Sequence, residues 1–342
     1  MVTTELRTDP LTGRTVAIDL GSFKRRDDFE LEPVRLEDPP SQCPLCEGRE
    51  ADAGPEILAW REGGPANVPG WSVRVVPNRN PMLRIEGRPD VREHGMLEAR
   101  DGLGAHEVIV ETPIHDQPLH TLDAERLWRV LWAWRTRIQD LKRDARFVSV
   151  VVFKNHGRAA GARLDHAHSQ LAAYPIVPPA LAEKLRGAAR HLAVGGSCIF
   201  CDLMAQELRD GRRIICDKDA ILAITPYASR VPFETWLMPR DHSPRFEDAT
   251  DKVLEQAAIK LKAVMARIDW ALERPACNLV LHTAPLSGDA DAAFHWHLEI
   301  IPRVTRFSGL EWGSGMHRNP VAPEEAARVL RGEHISASCL GG

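Results

Sequence analysis

The chain has 342 residues, 44% of them hydrophobic, and a formal net charge of −4 from 44 basic against 48 acidic side chains. That length suits two domains or one large duplicated one, and the balanced charge excludes the broad basic face that holds nucleic acid. No run of about 18 apolar residues occurs and the opening MVTTELRTDP lacks an apolar core, so a cytoplasmic protein with no membrane partner is expected.

In chain order, the first half offers CPLC (43–46), the strand-like HEVIVETPIH (106–115), a helical pattern, the strand RFVSVVVFKN (146–155) and HAHSQ (166–170). In the helical pattern Leu127, Val130, Leu131, Trp134, Ile138 and Leu141 recur at intervals of three and four behind Asp123 as N-cap. Pro178, Pro179 and the helical ALAEKLRGAARHLAVGG form a link. The second half then runs CIFC (198–201), FETWLMPRDH (233–242), a helical pattern behind Thr250, the strand ACNLVLHTA (276–284) and HWHLE (295–299). In that helix Val253, Leu254, Ala257, Leu261, Val264, Met265, Ile268 and Leu272 form the stripe. The order of elements is the same, and the interval from His115 to His166 nearly matches that from His242 to His295. The expected fold is therefore α+β, an internal duplication of two repeats, each a mainly antiparallel sheet crossed by one long helix. The expected boundaries are residues 1–178 and 179–342.

Seven cysteines are present, four of them in the two CxxC pairs. In a reducing compartment such pairs serve as metal ligands or redox groups more often than as disulfides. Here each pair is joined by a histidine at a strand end and by an HxH pair, which gives the tetrahedral set that structural zinc requires. The expected ligands are Cys43, Cys46, His115 and His166, then Cys198, Cys201, His242 and His295, with two zinc ions per chain. A thioredoxin-like role would need no histidines at matched distances. Cys216, Cys277 and Cys339 belong to no motif. Trp128, Trp132 and Trp134 share one amphipathic helix and are expected to pack there or at a dimer contact.

With His166 assigned to metal, His168 is left over two positions along, on the same side of an extended chain. A neutral imidazole can attack phosphorus to form a cleavable phosphoramidate. Around it, Gly157 and Gly161 of NHGRAAGARLD (155–165) permit backbone approach to phosphate, Arg158 and Arg163 offer positive charge, and Gln170 offers a hydrogen-bond donor. In the second repeat Glu299 stands where Gln170 stands, and an anion there opposes a developing phosphoryl charge, so His297 is not expected to be a second nucleophile.

RTDPLTGR, VVPNRNP (75–81), GAHEVIVETPIH (104–115), HAHSQ, HWHLEIIPR (295–303) and PEEAARVLR (323–331) together resemble the galactose-1-phosphate uridylyltransferase family of the histidine-triad superfamily. HAHSQLAAYPIVPP and the complete second CxxC are similar to its ADP-glucose phosphorylase-like branch. The resemblance implies two fused histidine-triad-like repeats, a homodimer, and ping-pong nucleotidyl transfer between a nucleotide sugar and a sugar 1-phosphate or phosphate. In that transfer His168 would be the nucleophile and Gln170 the transition-state donor. Implied substrate-binding residues are Asn78, Asn155, Gly157, Gly161, Arg163 and Arg25. Departures from the family pattern fall at Ser22, Arg26, Arg163 and the GSGMHR segment containing His317, and they bear on which sugar phosphate is used. Two alternatives remain at this point: a nucleotide-sugar phosphorylase, and a zinc-stabilised nucleotide-binding protein with little turnover.

Overall fold

Ten strands, each antiparallel to its neighbours, form one continuous sheet in a computed structural model that describes residues 3–20, 29, 33–88 and 90–332. Arg25, Ser22, Arg26 and Cys339 lie outside the described residues. The strands in chain order are β1 (Leu58–Arg61), β2 (Trp71–Pro77), β3 (Ala105–Val110), β4 (Ser149–His156), β5 (His168–Tyr174), β6 (Ile214–Cys216), β7 (Ile221–Ile224), β8 (Thr235–Pro239), β9 (Cys277–His282) and β10 (His297–Pro302). Read inward from its two edges, the sheet runs 1-2-3-5-4 and 6-7-8-10-9, and the halves join where β4 pairs with β9.

One long helix occupies the same place in each half: α1 (Ala124–Leu141) between β3 and β4, and α4 (Asp251–Leu272) between β8 and β9. Both start at the expected caps, with Asp123 accepting from Arg126 N at 2.8 Å and Thr250 from Val253 N at 3.4 Å. Their apolar stripes lie on one face of the sheet in a single core with Val73, Ile109, Val152, Leu171, Leu279 and Leu298. Between the halves run α2 (Pro179–Gly195) and α3 (Ile199–Asp210). Trp128 and Trp132 pack edge-on against Trp60 of β1, and Trp134 donates to Ser169 Oγ at 2.8 Å, so all three tryptophans have partners within the chain. No helix of the described residues is long and apolar enough to cross a membrane.

The period of two along a strand decides which face carries chemistry. In β5, Ser169 and Leu171 meet the helices, so His168 and Gln170 project from the opposite face; in β10, Leu298 and Ile300 meet the helices, and His297 and Glu299 project away. Two strand expectations are shortened. Residues 106–115 form a strand only to Val110, and the strand through HAHSQ begins at His168, because His166 is held ahead of it by the carbonyl of Thr112.

A hairpin of Thr4–Thr8 and Thr15–Asp19 holds RTDPLTGR, and its Leu11 is fully buried against α2. Gly187 of α2 is required there, since a Cβ at that position would lie 1.6 Å from the Leu11 carbonyl oxygen. Gly187→Ala is expected to destabilise the fold by about 2–3 kcal/mol through forced backbone displacement, read as a lower urea midpoint at unchanged slope.

Candidate active site and metal centres

Cys43 and Cys46 sit in a tight turn facing His115, beyond the end of β3, and His166, just before β5; their four donor atoms lie within 4.8 Å of one another. Sulfur-to-Nδ1 separations are 3.3 Å for Cys46–His115, 3.5 Å for Cys46–His166 and 3.6 Å for Cys43–His166. A tetrahedral zinc, with bonds of about 2.3 Å to sulfur and about 2.0 Å to nitrogen, holds such atoms about 3.6 Å apart. The opposite ring nitrogens are committed: His115 Nε2–H donates to the Asp38 carbonyl at 2.8 Å and His166 Nε2–H to that of Thr112 at 2.7 Å. Each Nδ1 therefore turns a lone pair toward the thiols.

The second half repeats this arrangement. Cys201 Sγ lies 3.5 Å from His242 Nδ1 and 3.8 Å from His295 Nδ1, with Cys198 completing the set, while the Nε2 atoms bond the carbonyls of Asp291 and Pro239 at 2.7 and 2.8 Å. Left to the protein alone, burial and the neighbouring thiol push Cys46 and Cys201 up to about 12. A divalent cation is what would make thiolates of them at neutral pH, so both donor sets fit a metal by chemistry as well as by spacing.

Beside the first cluster opens a cavity of about 660 Å³, lined among others by Asn78, Asn155, Gly161, Arg163, His168 and Gln170. That volume accommodates a ligand of nucleotide-sugar size. The His168 Nδ1–H donates to the His166 carbonyl at 2.7 Å, so Nε2 carries the lone pair and has no partner among the described residues, on a side chain that lines the cavity. Burial, and after it the Lys154 charge, hold this imidazole below its usual range, in the neutral nucleophilic form.

Two expected contributors are placed elsewhere. Gly157 is not among the cavity-lining residues; its left-handed φ of 82° serves packing, since an added Cβ would lie 2.5 Å from Val34 and 3.0 Å from Ala276. Arg158 pairs with Asp38 at 2.9 Å and donates to the Arg163 carbonyl at 3.0 Å, shaping the loop rather than facing the cavity.

Other residues join the site without having been expected. Lys154 bonds Glu111 at 2.6 Å and the His168 carbonyl at 3.1 Å, a fully buried brace under the strand that carries the histidine. A lysine inside the apolar run VSVVVFKN was the available signal. Asn278 of β9 reaches from the other half to Asn155 Oδ1 and the Ala160 carbonyl, both at 2.8 Å. His106 of β3 bonds Gln170 Oε1 at 2.9 Å.

In the second half His297 has the same tautomer, with Nδ1–H donating to the His295 carbonyl at 2.9 Å, but its Nε2 is capped by Lys184 Nζ at 2.6 Å. Lys184 also bonds Glu299 at 2.5 Å, and Arg230 holds the other Glu299 oxygen at 2.7 Å. Burial pushes the Glu299 carboxyl up, but Arg230 and Lys184 outweigh it and keep it well below the usual range. His297 is wholly buried and its attacking nitrogen is taken, so the two halves differ where the chemistry would occur.

Residues 79–178 match the galactose-1-phosphate uridyl transferase N-terminal domain, and residues 183–338 match the C-terminal domain of the same family. ADP-glucose phosphorylase of Arabidopsis thaliana is 33% identical over 96% of this chain and 92% of its own length. Galactose-1-phosphate uridylyltransferase of Thermotoga maritima is 26% identical over 96% of this chain and 98% of its own. Among solved structures, that of an Arabidopsis thaliana ADP-glucose phosphorylase with bound ADP-glucose superposes with a TM-score of 0.81 at 31% identity, covering 96% of this chain and 98% of that one.

Proposed function

The chain belongs to the galactose-1-phosphate uridylyltransferase family, and from that premise we propose that it moves a nucleotidyl group between a nucleotide sugar and a sugar 1-phosphate or phosphate through a covalent intermediate on His168. The carrying observation is the tautomer: with Nδ1–H spent on the His166 carbonyl, the free Nε2 lone pair belongs to a cavity-lining imidazole two residues before Gln170.

In the first half-reaction His168 Nε2 attacks the α-phosphorus, an N–P bond forms, and the bond from α-phosphorus to the bridging oxygen breaks to release the sugar 1-phosphate. The His166 carbonyl steadies the positive charge gained by the imidazole. In the second, a phosphate oxygen of the acceptor attacks the same phosphorus, the N–P bond breaks, and neutral His168 returns. Gln170 donates to the charged equatorial oxygens, the Asn155 amide, oriented by Asn278, is placed to do the same, and Arg163 offers charge at the cavity rim. Asn78 lines the same cavity, where the family resemblance implies a contact to the nucleoside. The two Cys/His sets would hold zinc, iron being the alternative at the second, and what a bound ion supplies there is rigidity.

Two donor–acceptor readings have support. Uridylyl transfer to galactose 1-phosphate is the activity named for the Thermotoga maritima relative of 26% identity, whereas ADP-glucose phosphorolysis is the activity named for the relative of 33% identity. Exchange of labelled glucose 1-phosphate into UDP-glucose and ADP-glucose, run side by side, separates them by which base supports exchange, and addition of galactose 1-phosphate or phosphate identifies the acceptor. Gln170→Ala is expected to slow exchange by roughly 10²-fold to 10³-fold, the effect of losing one transition-state donor. We further expect a cytoplasmic homodimer, which light scattering on the eluted protein checks.

A further inference from the structure

Two backbone N–H groups assign every proton around Gln170. Met82 N–H donates to His106 Nδ1 at 3.1 Å, so in the neutral ring the proton sits on Nε2, and His106 Nε2–H must donate to Gln170 Oε1 at 2.9 Å. Asn80 N–H donates to Asn78 Oδ1 at 2.9 Å, which identifies the other atom of that amide as Nδ2, and this too donates to Gln170 Oε1, at 3.1 Å. The Asn78 and His106 donors lie 3.2 Å apart and converge on one oxygen. Gln170 Oε1 is thereby saturated, and Nε2 has no protein acceptor among the described residues. The register explains the convergence: Gln170 pairs with Val108 of β3, and His106 is its diagonal neighbour on the same face.

Resting on the proposed role of Gln170, we infer that His106 is a positioning residue for phosphoryl transfer: it clamps the Gln170 carbonyl so that the amide N–H groups, not the oxygen, face the phosphate. A flipped amide would aim a carbonyl lone pair at a phosphoryl oxygen and oppose the developing charge. Asn78 alone supplies one donor and leaves the amide free to rock; the second donor, whose tautomer is set by the backbone of the 81–83 segment, makes one orientation dominant. Because His106 acts through Gln170 rather than on substrate, its loss should appear in kcat and not in KM.

The test uses the full-length protein in the exchange assay. His106→Phe retains ring volume beside Phe153 but removes the donor, and is expected to lower kcat by about 10-fold to 100-fold with KM for the nucleotide sugar within about 3-fold. His106→Gln, which can present an N–H in the same place, is expected to recover at least about 10-fold of that loss if the Phe variant loses 100-fold, and proportionately less otherwise. In a Gln170→Ala background, His106→Phe is expected to add less than about 3-fold, because there is no amide left to orient. A wild-type kcat for His106→Phe, equal effects in both backgrounds, or a loss confined to KM overturns the inference while leaving Gln170 in place. A wild-type rate for Gln170→Ala overturns the role of Gln170 and this inference with it. The two substitutions should leave the thermal midpoint and metal content of the protein unchanged, and a loss of either that tracks the kcat decrease also counts against positioning.

Discussion

His168→Ala is expected to abolish nucleotidyl exchange, by on the order of 10⁴-fold or more, while leaving folding and metal content at wild-type values. Among the described residues neither neighbouring histidine can substitute. His166 points its two nitrogens at the Cys43/Cys46 cluster and the Thr112 carbonyl, and His106 is spent on Met82 and Gln170. The Lys154 bond to residue 168 is made to its backbone carbonyl and survives the substitution. Steady-state exchange with metal analysis of the same sample checks both halves of this expectation. A variant that loses metal or unfolds would mean that the ring is structural.

The second large effect is on stability. Cys46→Ser is expected to remove one of two zinc equivalents and to lower the thermal midpoint by roughly 10 °C. Cys46 lies nearest both imidazoles of its cluster, and a structural zinc contributes about 10 kcal/mol of binding energy, of which a loss of about 7 kcal/mol produces that shift in a chain of this size. The cluster also ties the Cys43–Cys46 turn to His115 and to the residue that precedes the β5 nucleophile strand, so its loss should loosen His168 and reduce turnover as a consequence. Elemental analysis with scanning calorimetry checks it; full stability in chelator together with zero zinc would contradict it. Cys201→Ser makes the parallel test at the more exposed second cluster.

How much of this could be read from the chain alone follows the physics of each feature. The long helices were legible because a stripe recurring every three to four residues behind a capping Asp123 or Thr250 is a local signal, and the structure places both there. The Cys/His sets were legible because a duplicated spacing is improbable by chance, and the fold does gather each set of four. His168 and Gln170 were legible by their alternation along one strand. His106, Asn278 and Lys184 were not, because their parts depend on neighbours across the sheet. His106 reaches Gln170 only through the β3–β5 register, Asn278 reaches Asn155 only across the β4–β9 seam, and Lys184 reaches His297 from a helix more than 100 positions away. The strand limits at Val110 and His168 were also hidden, because the chain leaves extended geometry there to place His115 and His166 by the thiols. Gly157 was read as a phosphate approach because glycine permits that, yet its tight contacts with Val34 and Ala276 show the other use of a missing side chain.

The contrast between the halves follows from the same level of detail. Both carry an HxH pair in one tautomer, and each second histidine is followed two residues later by a polar group. In the first half that group is Gln170, with its N–H groups unclaimed among the described residues; in the second it is Glu299, which recruits Lys184 and Arg230 over His297. The strand order is the same in the two halves, 1-2-3-5-4 and 6-7-8-10-9.

The covalent intermediate itself is the most direct test. The protein is incubated briefly with UDP-glucose or ADP-glucose without acceptor, quenched at alkaline pH where a phosphoramidate survives, digested, and mapped by mass spectrometry. A uridylyl or adenylyl adduct on the peptide containing His166 to Gln170, localised to His168 and discharged on addition of a sugar 1-phosphate or phosphate, is the predicted result. An enzyme that turns over either nucleotide sugar yet carries no adduct on His168, or carries it on another residue, would contradict the account.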